Sequence, residues 1–555
     1  MSSHVAFRRQ ALPQQYAQNL KTHTLPAPTR GIVQHENEAY MQPGGCIVCD
    51  NWFPTMRGAK LRGGCVRHCD LHALDGPVPP VPSASRQSVI SMFEYTYGSN
   101  VRIFAAQQTK LFDVTAPTPV LVKSGQTSGN YATAQMSNLS GNYLIAVNDT
   151  GQPPLRFDGT TWLTLDASAP SADQIKHPTS GLPMTGLTHV WKYLSRLFFV
   201  EGNTMNLYYL DIDSIAGTLK RFPLSGAATR GGSLLFGANW SVDAGDGLDN
   251  KCVMATNLGE ILLFSGTDPS SVASWRQEGR YDVSPPLGKN AHTLIGGDLM
   301  ILTVDGIVPL SQVLTKSAGQ LELAMVTRSI KPMWREEVTL KRTLPWTIKK
   351  WDEQGIFLVT WPGGSPGNRY CAVANNATGA WARAVGWDAL CFARLGADLY
   401  FGNQDGIVML ANRTGKDDGA PYVATYVGGW ETFGQPAAEF VWHQARAVFS
   451  TGQPFEPFEP QLTATVDYEV TIPPPPPPGA DPGLLEVWDQ GKWDQAHWDQ
   501  PGVTRAPIRN SMWQSIGMTG FAHAPIVQVT VAQQAPPNVE IIAITATFEP
   551  AGVNV

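Results

Sequence analysis

Between about residues 95 and 440 the chain repeats short apolar runs, each rich in branched and aromatic side chains and each ended by Gly or Asp. The clearest are VRIFAAQQTKLFDVT, NYLIAVND, SRLFFVEGN, KCVMATNLGEILLFSG, GDLMILTVDGIVPL, QGIFLVTWPG and ADLYFGNQDGIVML. Runs this short, punctuated by turn residues, predict strand pairs rather than helices. They begin near Ile103, Leu144, Leu197, Val253, Leu299, Ile356 and Leu399, at intervals of 41, 53, 56, 46, 57 and 43 residues. Propeller blades recur every ~40–50 residues, so the spacing predicts a β-propeller. About six blades are expected: with one pair of runs sharing a blade, six fits as well as seven. Unrelated hairpins in two stacked sandwiches are the competing reading. Asp305-Gly306 and Asp405-Gly406 read as hairpin corners with positive φ at both central positions.

The flanks differ. Residues 1–35 are polar, carry Pro13, Pro26 and Pro28 and show no period, so they predict an extended N-terminal arm. Residues 36–94 form a Cys-rich segment of a platform region, and 441–555 a C-terminal β platform domain resembling a sandwich, with strands such as VWHQARAVFS and EIIAITATFEP. Six prolines at 473–478 fix φ and remove donors, so they predict a stiff polyproline spacer; a ligand for SH3-like modules is the second reading.

Composition sharpens the fold class. Gly 53 and Pro 43, with only 15% charged residues, disfavour long surface helices and fit an all-β chain. The formal net charge of −6, with Lys+Arg 40, provides no basic stripe for gripping a nucleic-acid duplex. No apolar stretch approaches a membrane span and the first residues lack the apolar core of a secretion signal, so a cytosolic site of synthesis is expected.

Candidate chemistry is sparse. Cys46, Cys49, Cys65 and Cys69 have spacing that suits a structural zinc, the one cofactor candidate. DAGDGLDN, with Asp243, Asp246 and Asp249, lacks the ligand spacing of a calcium loop. FDGTTW (157–162) is a fragment of an Asp-box turn that no other run visibly repeats. Neither a zinc-protease H-E-x-x-H nor a Walker A loop is present, so no catalytic residue is assigned and a non-enzyme is expected. Trp488, Trp493 and Trp498 repeat Trp-Asp-Gln every five residues and read as an aromatic stack or as a subunit interface.

Taken in order, PAPTRG (26–31), DNWFPT (50–55), LRGG (61–64), LLFSGTDPSSVASW (262–275) with GRYDV, GGDLMILTVDGIVPLS (296–311), NATGAW (376–381), LYFGNQDGIVML (399–410), DDGAPYVATYV (417–427) and the Trp-rich repeat resemble the tail nozzle, or tail tubular, β-propeller proteins of short-tailed bacteriophages. The four cysteines are outside that pattern. The resemblance implies a virion tail component, assembled in the cytoplasm of the bacterial host as a homo-hexamer below the portal and adaptor rings. It implies tail fibre or spike proteins as further neighbours, contact with the host surface, and a tube through which viral DNA passes without specific binding. The alternative is a tail protein that binds or hydrolyses carbohydrate through its propeller.

Overall fold

The computed structural model describes residues 20–75, 86–149, 151–243, 248–316, 318–362, 369–435, 437–451, 460–479 and 508–551. The chain divides into two compact units, one of residues 62–422 with 534–536 and one built from both chain ends, 1–61, 423–533 and 537–555.

The first unit is a propeller of seven sheets, not six. Each of the seven apolar runs supplies the second strand of its own blade: Asn100–Ala106, Gly141–Val147, Arg196–Glu201, Leu248–Thr256, Asp298–Thr303, Ile356–Thr360 and Asp398–Gly402. No two runs share a blade. We number these blades I to VII in that order. The runs are continuously apolar because their two faces feed two cores, as in any strand whose successive side chains alternate. In blade III, Leu197 and Phe199 enter the core shared with blade II, while Phe198 and Val200 enter the one shared with blade IV. Blades I, II and IV divide their side chains in the same way.

Blade VII closes the ring. Cys391–Leu395, Asp398–Gly402 and Ile407–Thr414 are joined on their outer edge by Gly64–Asp70, from the other end of the unit. The segment 36–94 is therefore divided between the two units: 62–75 and 86–94 belong to the propeller. Sequence periodicity could not reveal this, because the closing strand is separated from the strand it pairs with by the rest of the propeller. Blade V has three strands, and its edge strand Gly306–Pro309 is followed by the helices Leu310–Thr315, Ala318–Ala324 and Lys331–Lys341. Thr327 Oγ1 accepts from Ile307 N at 3.0 Å, and Trp334 Nε1 donates to Thr303 O at 3.1 Å. An edge covered in this way does not template further strands.

The corners depart from expectation in one respect. Gly306 (φ +156°) and Gly406 (φ +74°) have positive φ, but Asp305 and Asp405 do not. At Gly406 a Cβ would approach Gln87 O within 2.6 Å, so close packing as well as conformation calls for glycine.

The second unit is a two-sheet β-sandwich. In one sheet Phe440–Thr451 pairs with Val539–Pro550, which pairs in turn with Lys21–Pro26. Residues 21–26 are thus a strand, and Leu25, Ala27, Ile32 and Val33 are buried, so this part of the expected arm is packed. Its period is hidden because an edge strand six residues long buries few side chains. The other sheet contains Gly45–Asp50, Tyr422–Gly428, His523–Val531 and Gln461–Val466. His523 lies edge-on to Trp442 of the facing sheet at 5.8 Å.

Candidate functional site

The first strands of the seven blades surround an axial channel holding two cavities. The wider, about 900 Å³, opens where the chain enters each blade, and its lining includes Arg86, Asn130, Asp149, Lys289, Leu344 and Gln404. The second, about 570 Å³, lies further along the same strands, among Glu94, Gln135, His189, Asn239, His292 and Lys349.

Most ionic groups here are already paired. Lys289 is only 6% exposed; its Nζ lies 2.8 Å from Asp149 Oδ1 and donates to Thr188 O at 2.8 Å. Burial lowers its pKa, and Asp149 only partly opposes the shift. Beside it, Asn290 Nδ2 donates to Asn130 Oδ1 and Tyr131 O, both at 3.1 Å. Lower down, Lys349 Nζ donates to Glu94 Oε1 at 2.7 Å, joining blades VI and I. Burial drives His189 well below its usual range and His292 down to about 4. Both rings are neutral at pH 7, and Phe236 stacks on His292 at 4.2 Å. Near the wider mouth Asp388 accepts from Arg369 at 2.8 Å and from Gln404 N at 3.2 Å. Burial lifts its carboxyl to about 6 despite Arg369. The channel therefore offers a guest amide and hydroxyl groups between aliphatic walls, with its charges neutralised in pairs.

A second constellation ties the two ends of the propeller together. Arg62, at its start, donates through NH1 and NH2 to Asp417 Oδ1 and Oδ2 at 2.9 and 2.6 Å, and also to Val385 O and Gly63 O. Its guanidinium lies 4.0 Å from the Tyr422 ring centre and 5.1 Å from that of Trp387, and the Tyr422 hydroxyl donates to Arg62 O. Burial works against the charge, but Asp417 outweighs it and holds the pKa of Arg62 above the ordinary value.

The cysteines do not assemble. Cys46 and Cys49 lie on Gly45–Asp50 in the sandwich, whereas Cys65 and Cys69 lie on Gly64–Asp70 in blade VII. At ~3.3 Å per residue a strand holds the first pair ~10 Å apart and the second ~13 Å. Zinc–sulfur bonds of ~2.3 Å need a turn between ligands, not a strand. Cys49 Sγ donates instead to Trp52 O at 3.0 Å, and Cys65 Sγ to Asp417 Oδ1 at 3.5 Å. Burial raises the Cys65 thiol, and lifts Cys69 to about 12. Among the described residues no group of three or more His, Cys, Asp or Glu could hold a metal. Trp488, Trp493 and Trp498 lie outside the described residues.

Two features escaped the sequence reading. The Asp-box fragment does recur, always between the third and fourth strands of a blade. In blade II, burial would raise Asp158, but bonds from Thr160 and Thr161 hold it at about 2, and Trp162 opens the fourth strand. In blade IV, Asp268 accepts from Ser270 N and Oγ, and Trp275 opens the strand. In blade VI, Asn375 accepts from Ala377 N and Thr378 N, and Trp381 opens it. The signal is an Asx followed, after a variable gap, by Trp, which a fixed-length motif misses. The second feature is Gly363, Gly364, Ser365, Pro366 and Gly367, which match G-x-S-x-G. They lie outside the described residues, but they join two antiparallel strands, Ile356–Thr360 and Tyr370–Asn375, whereas a nucleophile elbow joins a strand to a helix.

No family model and no curated protein matches this sequence. Solved structures similar to it include YCF48 from Cyanidioschyzon merolae (11% identity, TM-score 0.35, covering 60% of this chain and 97% of that one). The β-propeller domain of Cps50 (Swd1) from Myceliophteria thermophila is similar at 10% identity and TM-score 0.36, with 63% and 99% covered. The extracellular domain of the hybrid two component system BT3049 from B. thetaiotaomicron gives 11% and 0.36; the match spans 61% of this chain and 41% of that one. The all-β propeller assignment and its blade count come from the strand order itself.

Proposed function

We propose that this chain is a structural subunit of a bacteriophage tail, a nozzle protein that assembles as a hexameric ring below the portal and adaptor and lets the genome pass during ejection. The observation that carries this reading is the exposed apolar surface of the sandwich unit. Ile508 is 69% exposed, Met512 85%, Trp513 40% and Phe521 48%, all within the C-terminal strands and their connections. Exposed apolar side chains mark a subunit contact where they form one patch, and in this reading these four, within residues 508–521, do so. The formal charge of −6 supports the same reading, since a conduit must leave a polyanion mobile. In this reading the sandwich makes the ring and meets the adaptor. The propeller, closed on itself, is the part left to meet fibre or spike proteins and the host surface.

Negative-stain electron microscopy, with mass measured in solution, tests it on protein alone and on protein mixed with the portal–adaptor complex. Six-fold rings, alone or on that complex, are the expected result; a 60 kDa monomer that ignores the complex overturns the proposal. The cavity of about 900 Å³ favours a second reading, carbohydrate recognition or hydrolysis in the channel. Capsular polysaccharide is the probe, and binding or cleavage by a solitary propeller would select it.

A further inference from the structure

The proline run at 473–478 is preorganised for a partner. Each of residues 472–477 precedes a proline and is confined to extended or polyproline backbone, and each proline fixes its own φ. The run is therefore a left-handed polyproline helix with three residues per turn. Its burial follows that period: positions 473, 476 and 479 are half-buried, and 474, 475, 477 and 478 are exposed. One ridge rests on the sandwich, where Thr530 Oγ1 donates to Pro476 O. The other two ridges face outward.

We infer that this outward face is a docking site for a protein module whose groove is lined by parallel aromatic side chains bearing N–H or O–H donors. The chemistry selects that occupant. Pro474, Pro475, Pro477 and Pro478 present flat rings for stacking and carbonyls as acceptors but no donor, so the complement must supply both aromatic faces and donors. Ile472, 44% exposed, extends the apolar ridge, and the exposed Glu469, three residues before it in the chain, favours a groove with Lys or Arg on its rim. Because the helix is already formed and held at Pro476, little ordering entropy opposes binding.

The test titrates full-length protein with a WW domain selected for uninterrupted polyproline, measured by calorimetry. The quadruple variant Pro474→Ala, Pro475→Ala, Pro477→Ala and Pro478→Ala is compared with Pro473→Ala, and thermal melts check that both remain folded. Micromolar binding is expected, weakened at least about tenfold in the quadruple variant and changed less than about threefold by Pro473→Ala. Absence of binding to the wild type, or equal loss in both variants, overturns the inference. Neither result bears on ring formation, which the microscopy reads separately.

Discussion

Two buried cations in the propeller, Arg62 and Lys289, meet burial in opposite ways. Arg62 has a side chain with no exposed surface, yet its charge is held more firmly than in water, because Asp417 accepts two parallel bonds and two aromatic rings cover the guanidinium faces. Lys289 is nearly as buried, but it has a single carboxylate, and that carboxylate is 41% exposed; its pKa falls. The comparison separates a cation that the fold depends on from one that lines a cavity. A planar fork can satisfy a carboxylate and two carbonyls together, whereas a point charge on a flexible stem cannot. The sites differ accordingly: Arg62 joins the start of the propeller to its end, and Lys289 faces the channel.

The largest expected effect follows from breaking the first pair. Arg62→Met leaves Asp417, whose side chain is 16% exposed, without its partner, and should cost about 3–5 kcal/mol. Urea denaturation of the variant against wild type measures it. Arg62→Lys restores the charge but not the fork, so it should recover less than about half of that loss. Full recovery by lysine would mean that charge alone holds the ring closed and would erase the comparison.

Asp388 is an intermediate case, a buried carboxylate paired with Arg369 but lifted to about 6. A carboxyl whose folded pKa lies above its ordinary value binds protons more tightly folded than unfolded. Between pH ~4 and ~6 its contribution to stability therefore falls as pH rises, and the destabilisation is complete above pH ~6. Asp388→Asn removes the titration. Relative to wild type, the variant should gain about 1–2 kcal/mol between pH 4.5 and 7.5. Paired denaturant titrations across that range should show the two stability curves diverging; parallel curves would place the folded pKa of Asp388 near its ordinary value.

How much of this was legible in the sequence depends on how far apart the interacting residues lie. The second strand of every blade could be read, because a strand buried on both faces leaves an uninterrupted apolar run such as LFFV at 197–200. The blade count stayed open between six and seven because spacing alone does not show whether two runs share a blade, and the strand that completes blade VII, Gly64–Asp70, comes from the opposite end of the unit. The same distance hid the Arg62–Asp417 lock, although both residues lie in motifs that had drawn attention, LRGG and DDGAPYVATYV. The cysteines misled for a local reason: Ile47, Val48 and Val66 beside the thiols are β-branched, as suits a strand, and a strand cannot fold its ligands around one ion. At the channel, the polar lining comes one or two residues at a time from every blade, so no contiguous motif announces it.

The smallest expected effect comes from the other member of the comparison. Lys289→Met removes an ammonium whose burial already disfavours its charge and leaves Asp149 partly in water, free to keep its bond from Ser128 Oγ at 2.9 Å. Thr188 O loses a donor but borders a cavity that admits water, so its desolvation is relieved. The variant should therefore lie within about 1 kcal/mol of wild type by the same urea measurement, several-fold less than Arg62→Met. The ratio of the two losses, more than either value, reads whether a buried cation in this propeller is held by geometry or merely tolerated. A loss at Lys289 matching that at Arg62 would mean that the blades meeting at the channel mouth rely on the Lys289–Asp149 pair as much as the closure relies on its guanidinium. Lys289 would then belong to the framework of the ring, and a guest in the channel would have to leave it untouched.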